Sequence, residues 1–518
     1  MDRSRDKSPP IWRIASGHAD TTGAARQALE AGGNAADAAV AAAAAASIAE
    51  PLLCSLGGGA LAIVHQQGKP SLALDAFTQT PRRRRVDALD FYPIIGNFGT
   101  DVQEFHVGLA SIATPGVVAG LTALHQRFGR LPLSEALLPA IDLAGRGTRL
   151  NVVQRYALCI LEPIVRATPQ SARLFGLNDQ NAPIPPVGTR IANHELGSFL
   201  DCLGREGSDA FYHGEPARRL AADSIAGGGH LNLADLAGYR ARWRRPLRWR
   251  YRDAVICSVP PPAFGGMMLN LALNHLATTS LADHEHLSPA YCRAMIAALS
   301  HSDELRLQLE APALLASEPA LRGAFAGLGK SAAVSRRGTT HISIDDGRGL
   351  AVALTLSNGE GSGYVLPGTG IVLNNMLGEE DINRTGFHRW PTNRRLASMM
   401  APLTILQKDD LFLLGSGGSN RIRSALTQVI ARLVDYGMPL DEAIMAPRLH
   451  IESSRLSVEI PPDGWPADTI DWYLSHYPQA RTWPERNLYF GGVHAVGPDI
   501  AAADSRRSGQ AESASTPT

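Results

Sequence analysis

The chain has 518 residues, of which 45% are hydrophobic and 19% charged, and Lys+Arg and Asp+Glu both number 49. Such a length suits two to four domains or one large layered α/β body, and a formal net charge of zero argues against a dedicated nucleic-acid or membrane-surface binder. Cys54, Cys159, Cys202, Cys257 and Cys292 are scattered without CxxC spacing, so no disulfide framework or cysteine-based zinc site is expected and a reducing compartment fits.

The N-terminus MDRSRDKSPPIWRIASG has no apolar h-region, so no signal peptide is expected and the expected location is cytoplasmic. The longest apolar run, Ala38 to Ala49, is too short to span a bilayer. Residues 20–50 read as one or two helices, with a break at Gly32-Gly33-Asn34 and an alanine-rich segment after it that suits a buried layer helix. Leu56-Gly57-Gly58-Gly59 leads into a strand over Ala60–His65, turning at Gln66–Lys69 into a returning strand, Ser71–Phe77. Residues 110–150 and 190–240 read as mainly helical. The basic stretch RARWRRPLRWRYR (240–252) reads as a half-buried strand pair with arginine outside, and Arg82–Arg85 as a solvated basic turn.

TTHISID and GLAVALTLS flank Asp345-Asp346-Gly347 as a hairpin. With the turn centred at 346–347, Thr339 falls opposite Leu354 and Thr355, close to Ser357. Downstream, GSGGSNR (415–421) precedes a helix whose Leu426, Val429, Ile430, Leu433 and Val434 follow helical spacing, with Gly437 placed to stop it. The polar tail from Ser508 to Thr518 is expected to be disordered.

The glycine loop lacks the GK[ST] ending of a nucleotide-binding loop; it fits a tight turn, or amides at a helix start facing an anion or an oxyanion. His284 and His286, with His301 and Asp303 downstream, form no HExxH, and neither metal nor cofactor is expected. No GxSxG elbow is present, since Ser416 sits in GSG with the wrong spacing. Threonine remains. Its hydroxyl needs an adjacent base, and a threonine made N-terminal by a cut carries one in its own α-amine, with a pKa near ~8. Gly338 supplies the small residue that such a cut before Thr339 needs.

The ordered segments GGNAADAAVAAA (32–43), EP…SLGGGALAIV (50–64), SIATPGVVAGL (111–121), DLAGYRARWRRPL (235–247), PPPAFGG (260–266), GTTHISIDDGRGLAVALT (338–355), GSGYVLPGTGIVLNN (361–375), RRLASMMAPLTIL (394–406), GSGGSNRI (415–422), DYGMPLDEAIMAPRLH (435–450) and AVGPD…AAADSRR (495–507) cover nearly the whole chain. Together they resemble the γ-glutamyltransferase (γ-glutamyl transpeptidase) family of N-terminal-nucleophile hydrolases. The resemblance implies a four-layer αββα sandwich and self-cleavage between Gly338 and Thr339. The products would be a large subunit 1–338 and a small subunit 339–518 that stay associated, with higher oligomers left open. It implies that Thr339 is the nucleophile, that the helper hydroxyl is Ser357, and that the oxyanion amides are those of Gly418 and Ser419, where the family pattern GSPGGSR has two glycines. The implied reaction passes an acyl group from a small γ-glutamyl-type amide, glutathione-like, through Thr339 to water or an amine.

Donor-binding positions depart from the family pattern. The arginine of the family's FRETAP-like segment falls at Phe77, and its Ser-Ser pair at Ala397-Ser398. An acidic amine-binding residue falls at Glu379 and an asparagine at Asn358. Losing a buried Arg–carboxylate contact costs on the order of 2–5 kcal/mol. The departure leaves three readings: another arginine, Arg394 or one of Arg82–Arg85, serves a γ-glutamyl donor; the enzyme is an acylase for a non-glutamyl amide; or the chain is a non-catalytic family member.

Overall fold

Ala35–Ala49 (α2) is helical because alanine loses the least on entering a helix, and because Asn34 starts it cleanly. The Asn34 side chain accepts from the Ala36 and Asp37 amides while Asp37 returns to the Asn34 amide. All of its residues are buried. It packs between Ala19–Glu30 (α1), the Leu133–Arg146 helix and the sheet that carries Thr339, so its methyl groups set close interlayer distances on every side. The break between α1 and α2 falls at Gly32–Asn34, as the sequence suggests.

In the computed structural model, described for residues 10–97, 102–179, 181–308, 338–380, 382–383 and 386–515, two antiparallel sheets face each other. The strands, in chain order, are β1 (Pro10–Ser16), β2 (Gly59–Gln66), β3 (Leu72–Ala76), β4 (Arg242–Arg244), β5 (Leu247–Tyr251), β6 (Ala254–Ser258), β7 (Thr340–Asp345), β8 (Leu350–Ser357), β9 (Leu403–Gln407), β10 (Asp410–Gly417), β11 (Gly492–Val496), β12 (Ala501–Ala503) and β13 (Gln510–Ser515). The first sheet runs β13-β1-β7-β8-β2-β3-β4, the second β12-β11-β10-β9-β6-β5.

Alternation along β7 and β8 builds the layers. Ile342, Ile344, Val352, Leu354 and Leu356 face the alanine-rich helices. Ala351 and Ala353 face the second sheet and meet Leu413 and Val496. Helices α3 (Gly265–Ala277), α4 (Pro289–Gln308) and α5 (Arg421–Tyr436) cover the far side of the second sheet. The result is the expected αββα sandwich. Gly437 ends α5 in the left-handed region at φ 58°.

Three expectations change. The β7–β8 turn spans Asp346–Gly349 instead of a tight pair, with Leu350 N donating to Asp346 Oδ1. Thr340 therefore pairs with Leu356, which brings Thr339 level with Ser357 rather than with Leu354 and Thr355. The basic stretch is not a strand pair: β4 is the edge of one sheet and β5 the edge of the other, because the intervening Arg245-Pro246 turns the chain between layers. Nor is the tail disordered over Gln510–Ser515. That segment pairs with β1, Ser16 against Gln510 and Arg13 against Ser513, and Thr22 Oγ1 donates to the Gln510 carbonyl. An edge strand held by backbone bonds needs little apolar surface, so composition hides it.

A chain ended at Gly509 is expected to unfold about 2 °C or more below the full chain, measured by differential scanning calorimetry. An unchanged midpoint would mean that β13 contributes nothing to the sheet.

Candidate active site

The end of β7 and the end of β8 bring two hydroxyls onto one carbonyl. Thr339 Oγ1 lies 2.7 Å from the Gly338 carbonyl oxygen, and Ser357 Oγ donates to the same oxygen at 2.8 Å. The two hydroxyl oxygens are 3.3 Å apart. Both side chains point between the sheets, on the face that also holds His341, whose Nδ1 is 2.7 Å from Thr355 Oγ1. Burial pushes the His341 imidazole well below its ordinary value, with His494 adding to the effect, so this imidazole is held neutral.

Space around the Gly338–Thr339 peptide is set by backbone. A Cβ on Gly338 would stand 2.4 Å from the Leu52 carbonyl oxygen and 2.6 Å from that of Gly359, and one on Gly417 would stand 2.2 Å from the Thr339 carbonyl oxygen. No side chain fits either place without moving the main chain. The β10–β11 ladder ends at Gly417 opposite Gly492. Gly418 (φ 117°) and Ser419 (φ 51°) then turn the chain into α5, where the Arg421 amide donates to the Gly418 carbonyl. Gly418 lines the same cavity as Gly338, at the positive end of α5.

A sequence profile described as Gamma-glutamyltranspeptidase matches residues 21–514. The chain belongs to the gamma-glutamyltranspeptidase family. Among its relatives is the acylase ACY 1 proenzyme of Pseudomonas sp. (strain SE83), 30% identical over 478 residues, 86% of this chain and 83% of that protein. Another is the glutathione hydrolase proenzyme of Escherichia coli (strain K12), 27% identical over 475 residues, 84% and 80% of the two chains. The crystal structure of a cephalosporin acylase from Bacillus halodurans superposes with a TM-score of 0.81 at 22% identity, covering 99% of this chain and 97% of that one, which shows a common fold. This gamma-glutamyltranspeptidase-family chain is thus an enzyme of the N-terminal-nucleophile hydrolase fold.

Of the substrate-binding candidates, Asn358 and Glu379 come to the site. Asn358 follows Ser357 and is fully buried. A Cβ on the next residue, Gly359, would be 2.2 Å from Glu379 Oε1 and 2.1 Å from Asn375 Oδ1, so both side chains converge beside the Gly338 peptide. Phe77 is also near: its ring lies over Gly59, the residue paired with Ser357. It is a core residue, however, 2% exposed and packed with Leu61 and Ile63.

The remaining candidates lie elsewhere. The Arg394 side chain is exposed. Its neighbour Arg395 is the buried one, donating to the Phe77 carbonyl at 2.6 Å and pairing with Asp75. Ser398 is buried, holding the Phe264 and Met400 amides. Arg82, Arg84 and Arg85 donate to the carbonyls of Ala234, His388 and Ile225. None of these arginines lines the cavity at Gly338.

Two charged residues at the site had no role assigned from sequence. Arg507 Nη1 donates to the Thr339 carbonyl at 3.2 Å. Glu50 accepts from Thr340 Oγ1 at 2.7 Å and from Thr21 Oγ1 at 3.1 Å. Both stand in segments that carry the family resemblance, AAADSRR and EP…SLGGG, but nothing in their spacing ties them to Thr339. Burial pushes the Glu50 carboxyl up to about 7, against the pull of the two hydroxyls and Arg507. It lowers Arg507 to about 10, opposed by Asp504 and Glu50.

A carboxyl whose folded pKa is raised favours folding while it is protonated. The Glu50 contribution is therefore fully present below about pH 4.5 and is lost as pH rises to about 7. Glu50→Gln should remove this dependence, so the stability of wild type relative to the variant falls by on the order of 3 kcal/mol from pH 4.5 to 8. Thermal unfolding of both proteins across that range checks it, and parallel curves would refute the shifted carboxyl. Phe77→Arg, in turn, is expected to lower the yield of folded protein, because it buries a guanidinium in an apolar core. Soluble yield and melting temperature report this.

Proposed function

We propose that the chain cuts itself between Gly338 and Thr339 and then works as a threonine amidohydrolase and acyltransferase on small γ-glutamyl or related amides. The observation that carries this reading is the convergence of the Thr339 and Ser357 hydroxyls on the Gly338 carbonyl. Thr339 Oγ1 attacks the Gly338 carbonyl carbon, its proton passes to the Thr339 nitrogen as the C–N bond breaks, and an ester joins residue 338 to Thr339. Water then hydrolyses the ester, leaving a Gly338 carboxylate and a free Thr339 amine. Ser357 donates to the carbonyl oxygen as it gains negative charge.

In turnover the freed amine takes the proton from Thr339 Oγ1, which attacks the substrate amide carbonyl. The Gly418 and Ser419 amides receive the oxyanion, the amine product leaves, and water or an amine accepts the acyl group. Asn358 and Glu379 are placed beside this point to bind the donor. Strands from both sides of the cut share each sheet, which keeps the two chains associated.

A second reading is an acylase acting on a non-glutamyl amide. It draws support from Phe77, a packed core residue where the family pattern places a carboxylate-binding arginine, and from relatives named as acylase proenzymes.

Intact mass of the purified protein should show chains 1–338 and 339–518, and Thr339→Ala should remain one chain of 518 residues. Ser357→Ala should slow the cut by about 100-fold, followed by gel densitometry over time. A wild-type protein that stays whole through purification and incubation would sink the proposal.

A further inference from the structure

A second cavity adjoins the one at Gly338. The two share Leu53, Ala157, Leu488 and Arg507, so these residues form a neck between them. Beyond the neck the wall is mostly hydrocarbon: Ile48, Leu52, Leu150, Leu158 and Phe175, all buried, belong to it. Its polar side chains are turned to protein partners. His18 Nδ1 accepts from the Asp20 amide at 3.1 Å, and Thr148 Oγ1 donates to Asp20 at 2.7 Å. Asn151 and Gln154 each accept or donate to the other's main-chain amide through their side chains, and Gln154 also donates to the Ala49 carbonyl. Glu50 is held by the Thr340 and Thr21 hydroxyls.

Protein interiors close up around apolar voids, because an empty one forfeits dispersion contacts and costs stability. This one persists beside the peptide of the proposed cut. Its neck stays open where the Val152–Ile160 helix presents only the methyl group of Ala157. A Cβ on Gly338 would stand 2.4 Å from the Leu52 carbonyl oxygen and 3.0 Å from the Leu53 Cα, so the Gly338 Cα faces the neck. Arg507, also at the neck, is committed: it holds the Thr339 carbonyl and is balanced by Glu50. The second cavity has a volume of about 60 Å³. A cavity that takes benzene measures about 150 Å³, so this one suits a straight carbon chain better than a ring.

We propose that this second cavity takes the apolar tail of the substrate's acyl group. The proposal deepens the acylase reading and rests on Thr339 as the acylated nucleophile. Before the cut, the carbonyl presented to Thr339 Oγ1 is that of Gly338. In turnover the substrate carbonyl takes the same place. The carbon chain behind it then runs where the Gly338 Cα stands, past Leu53 and Ala157, into the hydrocarbon wall beyond. The substrate class is an amide of a straight-chain, uncharged carboxylic acid. Water attacks the acyl-enzyme ester, Thr339 Oγ1 leaves with a proton, and the free fatty acid departs through the neck.

The test compares p-nitroanilides of the butyryl, hexanoyl, phenylacetyl and glutaryl groups. Each CH₂ moved into the cavity should contribute about fourfold, so wild type should favour hexanoyl over butyryl by about tenfold or more in kcat/KM. Hexanoyl should also exceed phenylacetyl and glutaryl. Ala157→Phe, which fills the neck, should bring the hexanoyl-to-butyryl ratio within about threefold of one. Intact mass of the variant confirms that it folds well enough to cut itself; if it does not, Ala157→Leu takes its place and should lower the ratio by at least about threefold. A wild-type ratio near one, a preference for phenylacetyl or glutaryl, or a ratio unchanged in the cut variant overturns the proposal. If wild type neither cuts itself nor turns over any anilide, the nucleophile reading fails instead. Calorimetric binding of hexanamide against acetamide to the uncut protein then decides the role of the cavity: preference for hexanamide that Ala157→Phe abolishes supports it, and no preference overturns it.

Discussion

One backbone register, Thr340 against Leu356 in the middle of the first sheet, fixes the site. It places residues 339 and 357 side by side, and the alternation of β7 and β8 turns both hydroxyls between the sheets. A slip of one residue would send them to the helix-covered face, where Leu354 and Leu356 pack. The register is held from both flanks: Ile342 of β7 pairs with Ser16 of β1, and Ser357 of β8 with Gly59 of β2. The Asp346–Gly349 turn and the apolar stripe of Ile342, Ile344, Val352 and Leu354 agree with it, so local and tertiary preferences point the same way.

Charge near the peptide is organised from the C-terminal end of the chain. Asp504 accepts from the Val493 amide and pairs with Arg448 and Arg506, while Glu459 holds Arg506 on two oxygens. Opposing charges pull the Asp504 carboxyl well below its usual range although burial pushes the other way. This network anchors the turn from which Arg507 reaches the Thr339 carbonyl. Breaking one partner of such a buried set typically costs about 3–5 kcal/mol, so the segment acts as a rigid support for the site.

Much of this was legible in the sequence because it is periodic or local. The alanine helix, the β2–β3 hairpin, the strands flanking Asp345–Gly347 and the α5 helix with its Gly437 stop follow from spacing and propensity. The glycine at 338 and the loop at 415–421 followed from what an N-terminal nucleophile needs. What escaped is long-range or compositionally silent. The β7–β8 register depends on a four-residue turn held by an Asp346 side chain. The β13 strand is polar and pairs through backbone alone. The split of 242–251 between two sheets depends on where each strand finds a partner. Glu50 and Arg507 are far from Thr339 and Thr340 in sequence, and only packing brings them there. Phe77 could be read as a missing arginine from sequence, but its place in the core needed the coordinates.

The sharing of both sheets between the two sides of residue 338 has one more consequence. The hydroxyls meet the Gly338 carbonyl only when β7 is seated between β1 and β8, and when the glycine loop at the end of β10 has closed over Thr339. Those contacts join the two ends of the chain and both layers. In the proposed reading, self-cleavage is then a built-in inspection. A chain with an unfinished sheet or a misplaced glycine loop keeps its peptide bond, and with it a blocked amine. The nucleophile is released only in molecules that have already passed, so misassembled copies stay chemically silent.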